Sequence, residues 1–205
     1  MNRLEDDDGP LTPEETLRII EEQRASTVRR LGGDPLLMHA PWGVAWLTGF
    51  GALFAHYAYG VISSNAAITV LFAGMMLAMA VTAYAQSRMA GRVRGQSSHR
   101  GMMYGLAWGF GYASVIAIDI RLSPLLPPDE VGLLWAVTSM ALVAALYVAG
   151  GAIWRDWTMF FLGTGIAVLN LVGAVAGPTV HALLMCAGGG GFLVVGVARR
   201  LRRAT

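Results

Sequence analysis

The chain has 205 residues, of which 55% are apolar and only 14% charged. A soluble domain runs nearer ~25% charged, so the composition excludes an ordinary water-soluble globule; it also excludes disorder, because so apolar a chain would not stay solvated. All 15 basic residues are arginine, the formal net charge is +2 and Cys186 is the lone cysteine, which excludes an intramolecular disulfide and a multi-cysteine metal site and gives no ground for a nucleic-acid partner.

In chain order, residues 1–11, with Glu5, Asp6, Asp7 and Asp8, read as a flexible acidic tail. This start lacks the basic-apolar-small layout of a secretory leader, so the first apolar run is expected to stay in the mature protein. Residues 12–41 are expected to form a short amphipathic cytoplasmic helix and a linker. Thr12-Pro13-Glu14-Glu15 is a capping box with proline in the first turn. The helix is expected to stop at Gly32-Gly33, with Leu17, Ile20, Val28 and Leu31 as a thin apolar stripe. That stripe suits either docking to a cytoplasmic protein or to the membrane surface, or simple packing under a bundle.

Residues 42–198 carry the dominant signal, six apolar runs: 42–62, 66–86, 102–122, 131–153, 158–177 and 180–198. A hydrocarbon core of ~30 Å needs about 20 helical residues, so each run is long enough to cross. Barrel strands would alternate over ~10 residues, and these runs do not. The expected fold is therefore all-α and polytopic, a six-transmembrane-helix bundle, ending in a basic cytoplasmic tail over residues 199–205.

Arginine placement orients it. Every arginine except Arg121 falls in the arm before the first run, the loops after the second and fourth, or the tail. Both termini are expected in the cytoplasm, and a bacterial plasma membrane is the expected address. The partners this implies are the lipid bilayer and anionic headgroups at its cytoplasmic face. Trp42, Trp46, Tyr104, Trp108, Trp154 and Trp157 read as an anchoring belt at that face.

Two patterns concern packing. Gly43-Val44-Ala45-Trp46 with Gly49-Phe50-Gly51 resembles Gly105-Leu106-Ala107-Trp108 with Gly109-Phe110-Gly111, which raises a hairpin repeat against chance matching of common residues. The GxxxG pairs Gly105/Gly109 and Gly173/Gly177 suit either the bundle itself or a homo-oligomer.

Candidate site residues are few. His56, Asp119, Asn170 and His181 all fall in the extracytoplasmic half of their runs, where polar groups are costly and often functional. They are read as a substrate or pore site open to the outside, against the alternative of separate residues reaching water by themselves. Gly188, Gly189, Gly190 and Gly191 begin about 12 Å into the last run. They suit either a transporter-like helix break or close helix packing, the second being preferred. No HExxH, GxSxG or Walker sequence occurs, so no catalytic role or cofactor is expected. His56, His181 and Asp119 could together bind a divalent metal or relay a proton, but a polar outward-facing pocket is preferred and no metal is expected. The functional expectation is a small-molecule transporter or permease component. The alternative is a membrane scaffold or regulator whose N-terminal helix binds a soluble partner.

Overall fold

The computed structural model describes residues 12–31, 35–90 and 96–204. The acidic tail, the Gly32-Gly33 stop, Arg3, Arg92 and Arg94 lie outside the described residues. Within them the chain forms seven α-helices: α1 (Pro13–Leu31), α2 (Pro35–Tyr59), α3 (Ser64–Ala90), α4 (Gln96–Leu122), α5 (Pro128–Trp154), α6 (Trp157–Ala176) and α7 (Pro178–Ala204). A 3-10 turn at Ser123–Leu125 follows α4, and the described residues contain no strand.

Local chemistry sets the helix ends. The Glu15 carboxylate accepts from the Thr12 backbone N–H at 3.0 Å, and Thr12 Oγ1 accepts from the Glu15 N–H at 3.2 Å, the two halves of a capping box. Gly60, at φ +63°, follows α2, and Gly177, at φ +93°, follows α6. Both φ values disfavour any residue with a side chain. Pro178 then opens α7, where its missing N–H costs nothing.

Five of the described helices are long and apolar enough to cross a membrane: Ser64–Arg88 in α3, His99–Leu125 through α4, Glu130–Trp154 in α5, all of α6, and Pro178–Arg202 in α7. α2 has 25 residues and no Asp, Glu or Arg, with His39, Pro41 and His56 inside it, and is not one of these five. The linker expected before residue 42 is instead helical from Pro35 and continuous with the first apolar run, with Pro41 inside it. A proline interior to a helix removes one i→i−4 bond and crowds the preceding turn.

The helices pack as a series. α3 lies on α2, α2 on α7, α7 on α6, α6 on α5, and α5 on α4. The core sits between α2, α5, α6 and α7, where Trp46, Phe50, Met140, Ile166, Met185 and Phe192 are buried together. The Phe192 ring meets Trp46 at 5.2 Å and Tyr147 at 5.8 Å, both edge-on. Phe72, Met76 and Leu77 on α3 and Met103 and Phe110 on α4 are exposed, as suits surfaces facing lipid.

Two sequence patterns divide here. Trp46 belongs to the core rather than to an interfacial belt, whereas Trp154 and Trp157 are exposed. The two halves of the suggested repeat occupy different environments: Phe50 is 2% exposed and Phe110 is 72% exposed. Gly49 packs under Leu71, while Gly105 and Gly109 face open space.

Candidate functional site

α5 carries two adjacent residues, Val137 and Thr138, that bond polar groups of two other helices, α6 and α4. Asn170 on α6 is buried, and its amide nitrogen donates to the Val137 carbonyl at 3.0 Å. That commits the amide oxygen to accepting, and His181 Nε2 on α7 lies 2.8 Å from it. The pairing requires a proton on His181 Nε2. Phe50 of α2 lies edge-on to the imidazole at 6.2 Å. A Cβ at Gly173 would come within 2.8 Å of the His181 Cα, so glycine there is what lets α6 and α7 close at this level.

One residue along α5, the Thr138 hydroxyl donates to Asp119 Oδ2 on α4 at 2.8 Å, with the Leu134 carbonyl a competing acceptor at 2.8 Å. Asp119 is 0% exposed, and its Oδ1 has no hydrogen-bond partner among the described residues. Ser123 covers it by donating to the Asp119 backbone carbonyl at 2.6 Å, and Trp135 Nε1 donates to the Ser123 hydroxyl at 2.9 Å. Asp119 is the one buried residue among those described on α4. The polar seam therefore runs from α7 through α6 and α5 to α4, with each interhelical bond made inside apolar surroundings that strengthen it.

Three of the four sequence candidates are thus linked through one seam: Asp119 and Asn170 bond to α5, and His181 bonds to Asn170. His56 does not join them. Its Nδ1 lies 2.8 Å from the Ile62 carbonyl, so the ring closes the α2–α3 turn. Sequence reading does not single out Thr138, Ser123 or Trp135; the available signal is the Thr138-Ser139 pair inside an apolar run and Ser123 just past the third run.

Beside His181, a crevice lined by Phe50, Leu53, Tyr57, Gly132 and Ala136 holds about 10 Å³, room for roughly one water. Among the described residues no three His, Cys, Asp or Glu side chains come together as a metal site would need. α7 is unbroken through Gly188–Gly191. Gly189 sits against the Leu47 nitrogen and the Gly43 carbonyl, so it is the point where α7 crosses α2, while Gly190 and Gly191 face open space. Gly173 and Gly177 are likewise spent within the chain, one under His181 and the other in the turn.

At the opposite end of the bundle, outside the spans, Asp156 caps α6 by accepting from the Thr158 and Met159 N–H groups at 2.9 and 3.2 Å. Both its carboxylate oxygens lie 2.9 Å from Arg199 Nη2 near the end of α7. Partial burial pushes the carboxyl upward, but the Arg199 and backbone donors outweigh it and hold it below the usual carboxylate range. No family model, curated protein or solved structure matches this chain.

Proposed function

We propose that the chain is an integral membrane protein of six spans, α2 included, in a bacterial plasma membrane with its arginine-rich end in the cytoplasm. We further propose that it works as a small-molecule transporter or permease component with a non-catalytic role. The observation that carries this reading is the buried polar seam of Asp119, Thr138, Asn170 and His181. Four polar side chains from four helices are expensive inside apolar spans, and such groups ordinarily mark a path or binding site. The crevice beside His181 would be the closed outer entrance, and passage would require α7 to move relative to α5.

Reconstituted in liposomes and screened against small solutes, the wild-type protein is expected to give a flux that Asn170→Ala and His181→Ala each reduce at least about tenfold, a loss comparable to removing a hydrogen bond in a low-dielectric site. His56→Ala, which touches only the turn, should leave the flux within about twofold. Equal effects of all three substitutions would sever transport from the seam.

The alternative, a scaffold or regulator, draws on α1, whose Leu17 and Ile20 are 60% and 53% exposed. Under it, removing residues 1–33 abolishes capture of a cytoplasmic partner while the bundle still inserts. Partner capture that survives the deletion would remove this reading and leave the first.

A further inference from the structure

α4 meets α5 along one stripe. Tyr104 donates to the Leu146 carbonyl at 2.7 Å, Trp108 lies edge-on to Tyr147 at 6.3 Å, and Asp119 meets Thr138. Arg100 lies one turn before Tyr104 and so continues the same stripe at its end. Opposite it, α5 ends at Trp154, and Arg155 follows in the left-handed region at φ 53°. Between them opens a groove of about 480 Å³ lined by Arg100, Ala152, Ile153, Trp154 and Arg155.

We infer that this groove binds the phosphate of an anionic membrane lipid, held between the Arg100 and Arg155 guanidiniums. Three observations converge on it. First, neither guanidinium has a hydrogen-bond or ion-pair partner among the described residues, and the nearest acid in sequence, Asp156, is taken by Arg199. Two like charges facing one groove favour an anion between them, and guanidinium geometry suits a phosphate. Second, depth is right. The apolar stretch of α4 begins at His99 and that of α5 ends at Trp154, so both arginines stand at the edge of the spans, where lipid phosphates lie. Third, the groove is apolar as well as basic: Ile153 is 48% and Trp154 40% exposed. Trp154 is itself held by Tyr104, edge-on at 4.7 Å. A free phosphate would use only the charges, whereas a lipid also covers these two side chains. The inference needs the helices to lie in a bilayer and is independent of the transport reading.

The test is lipid retention by the full chain in detergent, measured by native mass spectrometry and by thermal shift, with phosphatidylglycerol, phosphatidylcholine or inorganic phosphate added. Arg100→Gln/Arg155→Gln is expected to lower phosphatidylglycerol affinity about thirtyfold, the loss for two surface arginines at a headgroup. A charge-matched variant at the same end, Arg88→Gln/Arg200→Gln, should change it less than about threefold. If the double variant does not fold by circular dichroism, Arg155→Gln alone should lose about fivefold. Equal losses in the charge-matched variant would overturn the site in favour of diffuse surface charge. Equal retention of phosphatidylcholine would overturn the role of charge, and inorganic phosphate binding as tightly as the lipid would overturn the lipid as occupant. Because no flux is read, failure here leaves the transport reading untouched.

Discussion

A Cβ added at Gly189 would meet the Leu47 nitrogen at 2.7 Å and the Gly43 carbonyl at 2.8 Å, whereas one added at Gly190 or Gly191 would meet nothing within 4 Å. The backbone atoms at Gly189 cannot give way without moving α2, so Gly189→Ala should cost roughly 1–3 kcal/mol. Gly190→Ala should instead stabilise by up to about 1 kcal/mol, because alanine loses less backbone entropy in a helix. Unfolding in mixed micelles would measure both; equal effects would refute the assignment of Gly189 as the α2–α7 crossing point. Gly173→Ala should behave like Gly189→Ala and also disturb the His181–Asn170 bond above it. The sequence marks the four-glycine run as unusual, yet which glycine touches a neighbour depends on helix rotation, which one chain's periodicity does not supply. The same limit explains His56. Depth along the first apolar run placed it beside Asn170 and His181, but a histidine one residue ahead of Tyr57 can turn toward the end of its own helix, and the Ile62 carbonyl lies there to accept from it.

Helix identity was legible in the apolar runs, because only a helix satisfies its own backbone over 20 such residues in lipid. Helix ends were less so. α4 begins at Gln96 and α7 continues to Ala204, well past the apolar stretches, since helices persist into polar flanks while apolarity stops at the headgroups. Pro35–Trp42 was obscured for a related reason: two prolines and a histidine resemble a linker, although Pro35 merely starts a helix and Pro41 is carried inside it. The α5–α6 connection is only Arg155 and Asp156, and Asp156 has two tasks there, capping α6 and pairing with Arg199. Its folded carboxyl lies below the ordinary value near ~3.9. The stabilisation it brings is therefore fully present above that value and is lost as pH falls through the lower folded value. Asp156→Asn keeps a capping side chain and loses the ion pair, so it should cost about 1 kcal/mol or less at neutral pH, because the half-buried pair is still screened by solvent. Asp156→Ala loses the cap too and should cost about 1 kcal/mol more. In acid melts the wild type and Asp156→Asn should converge; a difference that persists unchanged to low pH would refute the charge pairing.

At the scale of the whole molecule, the polar seam, the basic groove and the lipid-facing helices all depend on one arrangement. Under the proposed topology, successive helices cross in alternate directions, with α2 among them. The hairpin connections support this. The turn at Gly60–Ser63 joins α2 to α3, two residues join α5 to α6, and Gly177 joins α6 to α7, so neighbouring helices run antiparallel. Asp156 reaching Arg199 brings the start of α6 and the end of α7 to one end of the bundle, the end that also gathers Arg100 and Arg155. Hydropathy alone separates α2 from the other five, and packing does not: α2 lies between α3 and α7 and supplies Trp46, Phe50 and Leu53 to the core. The direct measurement is cysteine accessibility in intact cells, with Cys186 replaced and single cysteines placed at Ser64, Ser87, Pro127 and Arg200. Cysteines at Ser64 and Pro127 should label with an impermeant reagent from outside, and those at Ser87 and Arg200 only after the membrane is opened. Labelling of the Ser64 and Ser87 cysteines from the same side would contradict the crossing of α3, and with it the six-span membrane bundle.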